Sequence, residues 1–232
     1  MICAIHQPQT YPWLGYFAKI MQADVFIFLD NVQFKKNEWQ NRNKIRTPDG
    51  WLWLTVPVIH HFGQPINSVA INDQVDWQKK HLQTLRTYYG RAPFFKQYFE
   101  DIATLYQTTW QNLAQFNIAS IRRLMSIIGI TTPTVIASEM QELNLDPTIS
   151  PDERLIIATK AVGAEVYLSG AGGRDYLKTE LFPKNGIELR FQSFEHPAYR
   201  QMTADFLPFM SILDLLFNEG PQTKSIIKRG IQ

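Results

Sequence analysis

Residues 2–33, ICAIHQPQTYPWLGYFAKIMQADVFIFLDNVQ, decide the fold. Ile2 to Ile5 is a short apolar run with no room to become a helix before Pro8. Val25 to Leu29 is a second run, rich in β-branched and aromatic residues, as buried strands are. Between them Trp13, Phe17, Ile20 and Met21 recur at i, i+4, i+7 and i+8, which is one face of a helix. Strand, polar turn, helix and strand make a βαβ unit with a buried parallel pair. Polar residues gather where such a unit presents a ligand site: His6, Gln7 and Gln9 after the first strand, Asp30, Asn31 and Gln33 after the second.

Further along, Thr47-Pro48-Asp49-Gly50 is a turn between the extended runs Asn43 to Arg46 and Trp51 to Val58, and predicts a β-hairpin. Ile66 to Ile71 reads as a short edge strand. Helical patterns follow over Asp76 to Tyr89, Pro93 to about Tyr106 and Asn112 to Ile128, the last stopped by Gly129. This middle third carries no obvious chemical motif and reads as a helical insert or scaffold. Alternation of strand and helix then resumes. Thr134 to Ala137, Glu165 to Leu168 and Ile187 to Phe191 read as strands, and Ser150-Pro151-Asp152-Glu153 is a capping box opening a helix that runs to Val162. Leu207 to Phe217 reads as an apolar helix interrupted by Ser211 and Asp214. No linker divides residues 1–232, so one α/β domain is expected, with its insert at about 76–129.

Composition narrows the function. With 23 basic and 21 acidic residues the net charge is +2, too small for a polyelectrolyte-binding surface, and nucleic acid is not an expected partner. The single cysteine, Cys3, excludes an internal disulfide and a cysteine metal cluster. His60, His61 and His81 have no acids at metal-ligand spacing, so a metal site built from histidines is not predicted. No apolar run approaches the roughly 18 residues of a membrane span, and the N-terminus has no signal pattern; a cytoplasmic protein without membrane insertion is expected.

The segments HQPQTYPWLGYFAKI, LDNVQFKKNEWQNRNKI, YLSGAGGRDYL, FEHPAYRQ and MSILDLLFNEG, spread from Ile5 almost to Gly220, resemble the WbqC-like protein family. That resemblance implies a place in O-antigen or other surface-polysaccharide (lipopolysaccharide) biosynthesis in bacteria. The first βαβ unit is also similar in outline to nucleotidylyltransferases of the HIGH-motif superfamily. Pro12-Trp13-Leu14-Gly15-Tyr16 occupies the motif's position, with Tyr16 where its second histidine would stand. The expected fold is therefore α/β, a mostly parallel open sheet of HUP or Rossmann-like three-layer form.

Candidate site residues follow from chemistry and position. His6 is a candidate general acid or base, or a histidine that fixes the turn. Asp30 would orient a hydroxyl or a divalent ion such as Mg2+, and His196 would complete the catalytic set or cap a loop. Tyr11 and Tyr16 offer rings to a base or sugar; Gln7, Gly15, Lys19, Gln33 and Asn41 line the same edge. Arg42 suits a bidentate phosphate contact. In Ser169-Gly170-Ala171-Gly172-Gly173-Arg174-Asp175-Tyr176, small residues let backbone N–H groups approach an anion and Arg174 adds charge. The spacing fits neither a Rossmann dinucleotide fingerprint nor a P-loop. The expected activity is a transferase acting on a nucleotide-activated or phosphorylated sugar. Acyl transfer to an amino sugar through Cys3 and His6, and a non-catalytic partner role in glycan assembly, are the alternatives.

Overall fold

A computed structural model of the chain describes residues 1–144 and 148–232. The opening unit forms as its pattern predicts: β1 (Ile2–His6), α1 (Leu14–Met21) and β2 (Val25–Phe28). β1 and β2 pair in parallel from Cys3 opposite Val25 to His6 opposite Phe28. A hairpin follows, β3 (Arg42–Thr47) and β4 (Gly50–Thr55), closed by Thr47 opposite Gly50. Gly50 has φ +138°, backbone that side chains rarely adopt, which is why glycine ends the turn.

The hairpin strand is shorter than Trp51 to Val58. Pro57, which has no N–H to donate, lies beyond Thr55, and Val58–Ile59 forms a separate strand, β5. Its partner is β6 (Ala70–Ile71), so the expected edge strand from Ile66 shrinks to two residues and a preceding 3-10 turn, Ile66–Ser68. The helices α2 (Trp77–Tyr89), α3 (Phe95–Ala103) and α4 (Leu113–Ile128) come next. Asp76 and Asn112 cap α2 and α4 through their side chains, and Gly129 ends α4 in the left-handed conformation.

β7 (Thr134–Ile136), α5 (Pro151–Ala161), β8 (Val166–Ser169), α6 (Leu181–Lys184) and β9 (Glu188–Phe191) complete the α/β rhythm. The Ser150–Glu153 capping box is present in full. The apolar stretch from Leu207 becomes helical only at α7 (Ile212–Glu219), because Ser211 is its cap and accepts from Leu213 N; it starts the helix and does not interrupt it. A last helix, α8 (Thr223–Arg229), was not legible in the pattern.

The five parallel strands stand in the order β7-β2-β1-β8-β9. Alternate residues feed opposite layers. Ala4, Phe26, Phe28 and Leu168 pack with Phe17 and Ile20 of α1, Ile121 and Leu124 of α4, and Ile212 and Ile226 beyond. Cys3, Ile5, Val25, Ile27 and Tyr167 pack with Leu155 and Ile156 of α5 and Phe182 of α6. Burial on both faces explains why these strands are continuous apolar runs. The result is a Rossmann-like three-layer fold.

Candidate functional site at the strand reversal

The chain builds the sheet outward from β1, first through β2 to β7 and then, on the other side, through β8 to β9. The direction of winding therefore reverses between β1 and β8, and the carboxyl ends of those two strands flank the crevice where open α/β sheets bind ligands. His6 and Gln7 form one lip, Ser169 and Gly170 the other.

Lys19 is the cationic side chain at the end of β1. Met1 O accepts from Val166 N of β8, whereas Ile2 O and His6 O accept from Asp24 N and Leu29 N on the β2 side. Odd-numbered carbonyls of β1 thus face β8, and Ile5 O lies just past Ala4, the last β1 residue paired with β8. Lys19 Nζ donates to this Ile5 O at 2.9 Å. The side chain is 3% exposed and has that one acceptor among the described residues for its three N–H groups. Burial lowers its pKa to about 7, with the nearby Cys3 acting weakly in the opposite sense. Lys19 is not a solvated surface lysine; it is an amine that titrates near neutrality.

His6 sits edge-on to Tyr16, ring centres 4.9 Å apart, with Nδ1 3.1 Å from Gln7 O. Donation to that carbonyl places the proton on Nδ1 and leaves Nε2 as an acceptor. Burial first, and the Lys19 charge second, hold the imidazole down to about 3, so it is neutral at pH 7. Cys3 is fully buried and its thiol is pushed up to about 12, chiefly by burial. An inert thiol is the physical consequence.

The glycine loop turns through a short 3-10 segment, Ala171–Asp175, with Gly173 N bonded to Gly170 O. Gly173 is packed: a Cβ there would collide with Ser169 Oγ. Gly170 and Gly172 face open space, so their backbone is approachable. Arg174 is exposed with its guanidinium 4.4 Å from the Phe191 ring centre, at the end of β9, and Asp175 and Tyr176 are exposed beside it. Gln192 ties this side to the first helix, its N–H donating to Ser169 O and its Nε2 to Gly15 O.

Other predicted residues have different surroundings. Tyr11 is fully buried, and its hydroxyl donates to Tyr106 in the core. Tyr16 is buried and donates to Gln7 O, shaping the lip from beneath. Gly15 leaves room for the Trp13 indole, which a Cβ would strike. His196 lies against Trp13, Phe206 and Phe209; Nε2 accepts from Phe209 N and Nδ1 contacts Pro197 O, so both nitrogens serve the loop. Asp30 is buried and takes both donors of Ser138, from N at 2.9 Å and Oγ at 2.6 Å. It borders a separate cleft of about 480 Å3 with Asn67, Gln115, Arg122 and Glu139. Its oxygens are thus committed, and no three His, Cys, Asp or Glu side chains among the described residues converge for a metal ion; the residues do not fit a protein-held Mg2+. Gln33 is exposed and bridges to Pro65. Arg42 stacks on Trp53, so the two arginines meet different rings and do not form one clamp.

The loop after β1 is held by residues that carried no motif. Gln40 Nε2 donates to Gln7 Oε1, and fully buried Asn117, in α4, donates to Pro8 O and Gln40 O. Asn117 corrects the view of the middle third as chemically silent: it secures the lip of the crevice. A buried amide on the apolar face of α4 was the available signal.

A five-stranded parallel sheet covered on both faces, with its winding reversed between β1 and β8, defines a Rossmann-like α/β protein. The WbqC-like protein family matches over residues 7–226, and this chain belongs to that family. It is 32% identical over 229 residues to the uncharacterized protein Rv1507c of Mycobacterium tuberculosis (strain ATCC 25618 / H37Rv), covering 97% of this chain and 96% of that one. No solved structure matches.

Proposed function

We propose that this protein is a transferase of surface-polysaccharide assembly that binds a nucleotide-activated or phosphorylated sugar between β1 and β8. The family's name points toward O-antigen chemistry. The observation that carries the reading is that the two strand ends at the reversal of strand order carry a buried amine on one side and an approachable glycine loop on the other. In this reading the Gly170 and Gly172 backbone and Arg174 receive phosphate. Lys19, which titrates near pH 7, holds or moves a proton, and neutral His6 offers Nε2 to a substrate hydroxyl. Acyl transfer through Cys3 is disfavoured by the buried, fully protonated thiol.

The test is a thermal-shift series with nucleoside diphosphate sugars, sugar 1-phosphates and acyl-CoA, each with and without Mg2+. Ligands that bind only the folded chain raise Tm. A nucleotide sugar or sugar phosphate is expected to raise it, and Arg174→Ala and Gly172→Val to diminish the rise. A rise with acyl-CoA alone would overturn the reading, and no rise with any class would leave the non-catalytic partner role.

A further inference from the structure

The outward face of the hairpin is a different kind of surface. In the register Arg42 opposite Thr55, Lys44 opposite Trp53 and Arg46 opposite Trp51, these six side chains share one face, on which Arg46 is buried and donates to Thr47 O, Gly50 O and Asp205 O. The other face, with Asn43, Ile45 and Leu54, is buried. Trp39 joins the outward group, its ring tilted against Trp53 at 5.6 Å, and Trp51 meets Trp53 edge-on at 5.1 Å. Trp51 is 43% exposed, unusual for so large an apolar ring.

Cations are set into this aromatic surface. Lys44 Nζ lies 4.3 Å from the centre of Trp51 and 5.6 Å from that of Trp53, and Arg42 Cζ lies 4.2 Å from Trp53. Among the described residues the ion pairs are Arg123–Asp101 and Arg190–Glu188, so neither Arg42 nor Lys44 has a carboxylate. The Arg42 side chain donates no hydrogen bond to a described residue, and its Nε is shielded from water without a partner. Gln9 Oε1 and Asn41 Oδ1 are also buried and unpaired. Each orphaned buried polar atom calls for a reason, and a charged one most of all.

We infer that this face binds an anionic saccharide, a pyranose ring stacking on Trp51 or Trp53 while its carboxylate or phosphate is taken by Lys44 and Arg42. Tryptophan faces receive the C–H face of a sugar ring, and an arginine fork pairs with planar carboxylates. A neutral glycan would satisfy the rings and leave both cations unpaired. The surface is tied to the loop after β1, whose start forms one lip of the crevice, because Trp39 O accepts from Thr10 N. It would therefore present an acceptor sugar beside the activated donor. This acceptor role rests on the function proposed above, whereas the binding itself does not.

The experiment requires no turnover, so its failure is distinct from failure of the donor assignment. Tryptophan emission of the intact chain is titrated with an oligoglucuronate, a malto-oligosaccharide of equal length and a mononucleotide, with no donor present. A saturable change with the uronate is expected, and binding about tenfold weaker in Trp51→Ala, whose exposed ring removes little packing. Lys44→Gln should weaken uronate binding about tenfold, Arg42 keeping part of the preference over the neutral oligomer, while CD spectrum and Tm stay at wild-type values. Equal binding of neutral and acidic oligomers, preference for the mononucleotide, or no saturable change would each overturn the inference. Wild-type affinity in a folded Lys44→Gln would do the same.

Discussion

At the scale of a residue, Lys19 shows what position does to chemistry. Its type is legible in the sequence, but its burial is not, because that depends on how α1 lies across the end of β1. Placed against Ile5 O at 3% exposure, the amine titrates near 7. An anion bound in the crevice would favour the ammonium and raise that pKa, so binding takes up protons, by linkage, and affinity falls as pH rises above about 7. At pH 7 the uptake should approach about half a proton, given a free amine half-protonated there. Calorimetry of a sugar-phosphate ligand in buffers of different ionisation enthalpy measures it. Lys19→Met should abolish the buffer dependence; unchanged uptake in that variant would assign the proton elsewhere.

Among the elements, the first βαβ unit and the hairpin were readable because local periodicity and turn chemistry agree with the final packing. Where packing overrode pattern, the reading slipped. Ser211 looks like a break within an apolar helix from Leu207, yet it is the cap of one that starts at Ile212. Gly15, a candidate site residue in the motif-like stretch Pro12–Tyr16, also makes room for the Trp13 ring by its missing side chain. Gly15→Ala should therefore destabilise the chain by about 1–3 kcal/mol, the usual cost of overpacking, although alanine is the better helix former. Urea unfolding checks this, and a stability equal to or above wild type would mean that the indole swings aside without loss.

The molecule as a whole is ordered by something no local pattern encodes. Strand order depends on where β7 docks after the long excursion from residue 29 to 133, and on β8 choosing the opposite side of β1. Residues distant in sequence are consequently buried together. His81 is one of them: 4% exposed, with Nε2 2.8 Å from Thr55 O and Nδ1 3.1 Å from the Tyr106 hydroxyl. Burial lowers its pKa to about 4, so between that value and the unfolded value near 6.5 the unfolded chain binds the proton and the native chain does not. Stability contributed by neutral His81 is thus complete above about pH 6.5 and is lost as pH falls toward 4. From pH 7 to pH 5 the loss from this residue is about 2 kcal/mol. His6, held down to about 3, acts in the same direction, whereas buried Asp214, whose pKa is raised, acts oppositely because its native form retains a proton longer. His81→Gln isolates one contribution: its lost hydrogen bonds lower stability at every pH, but its stability should fall less steeply between pH 7 and 5 than that of wild type. Parallel pH profiles for the two proteins would show that His81 accepts its proton without unfolding the core around it.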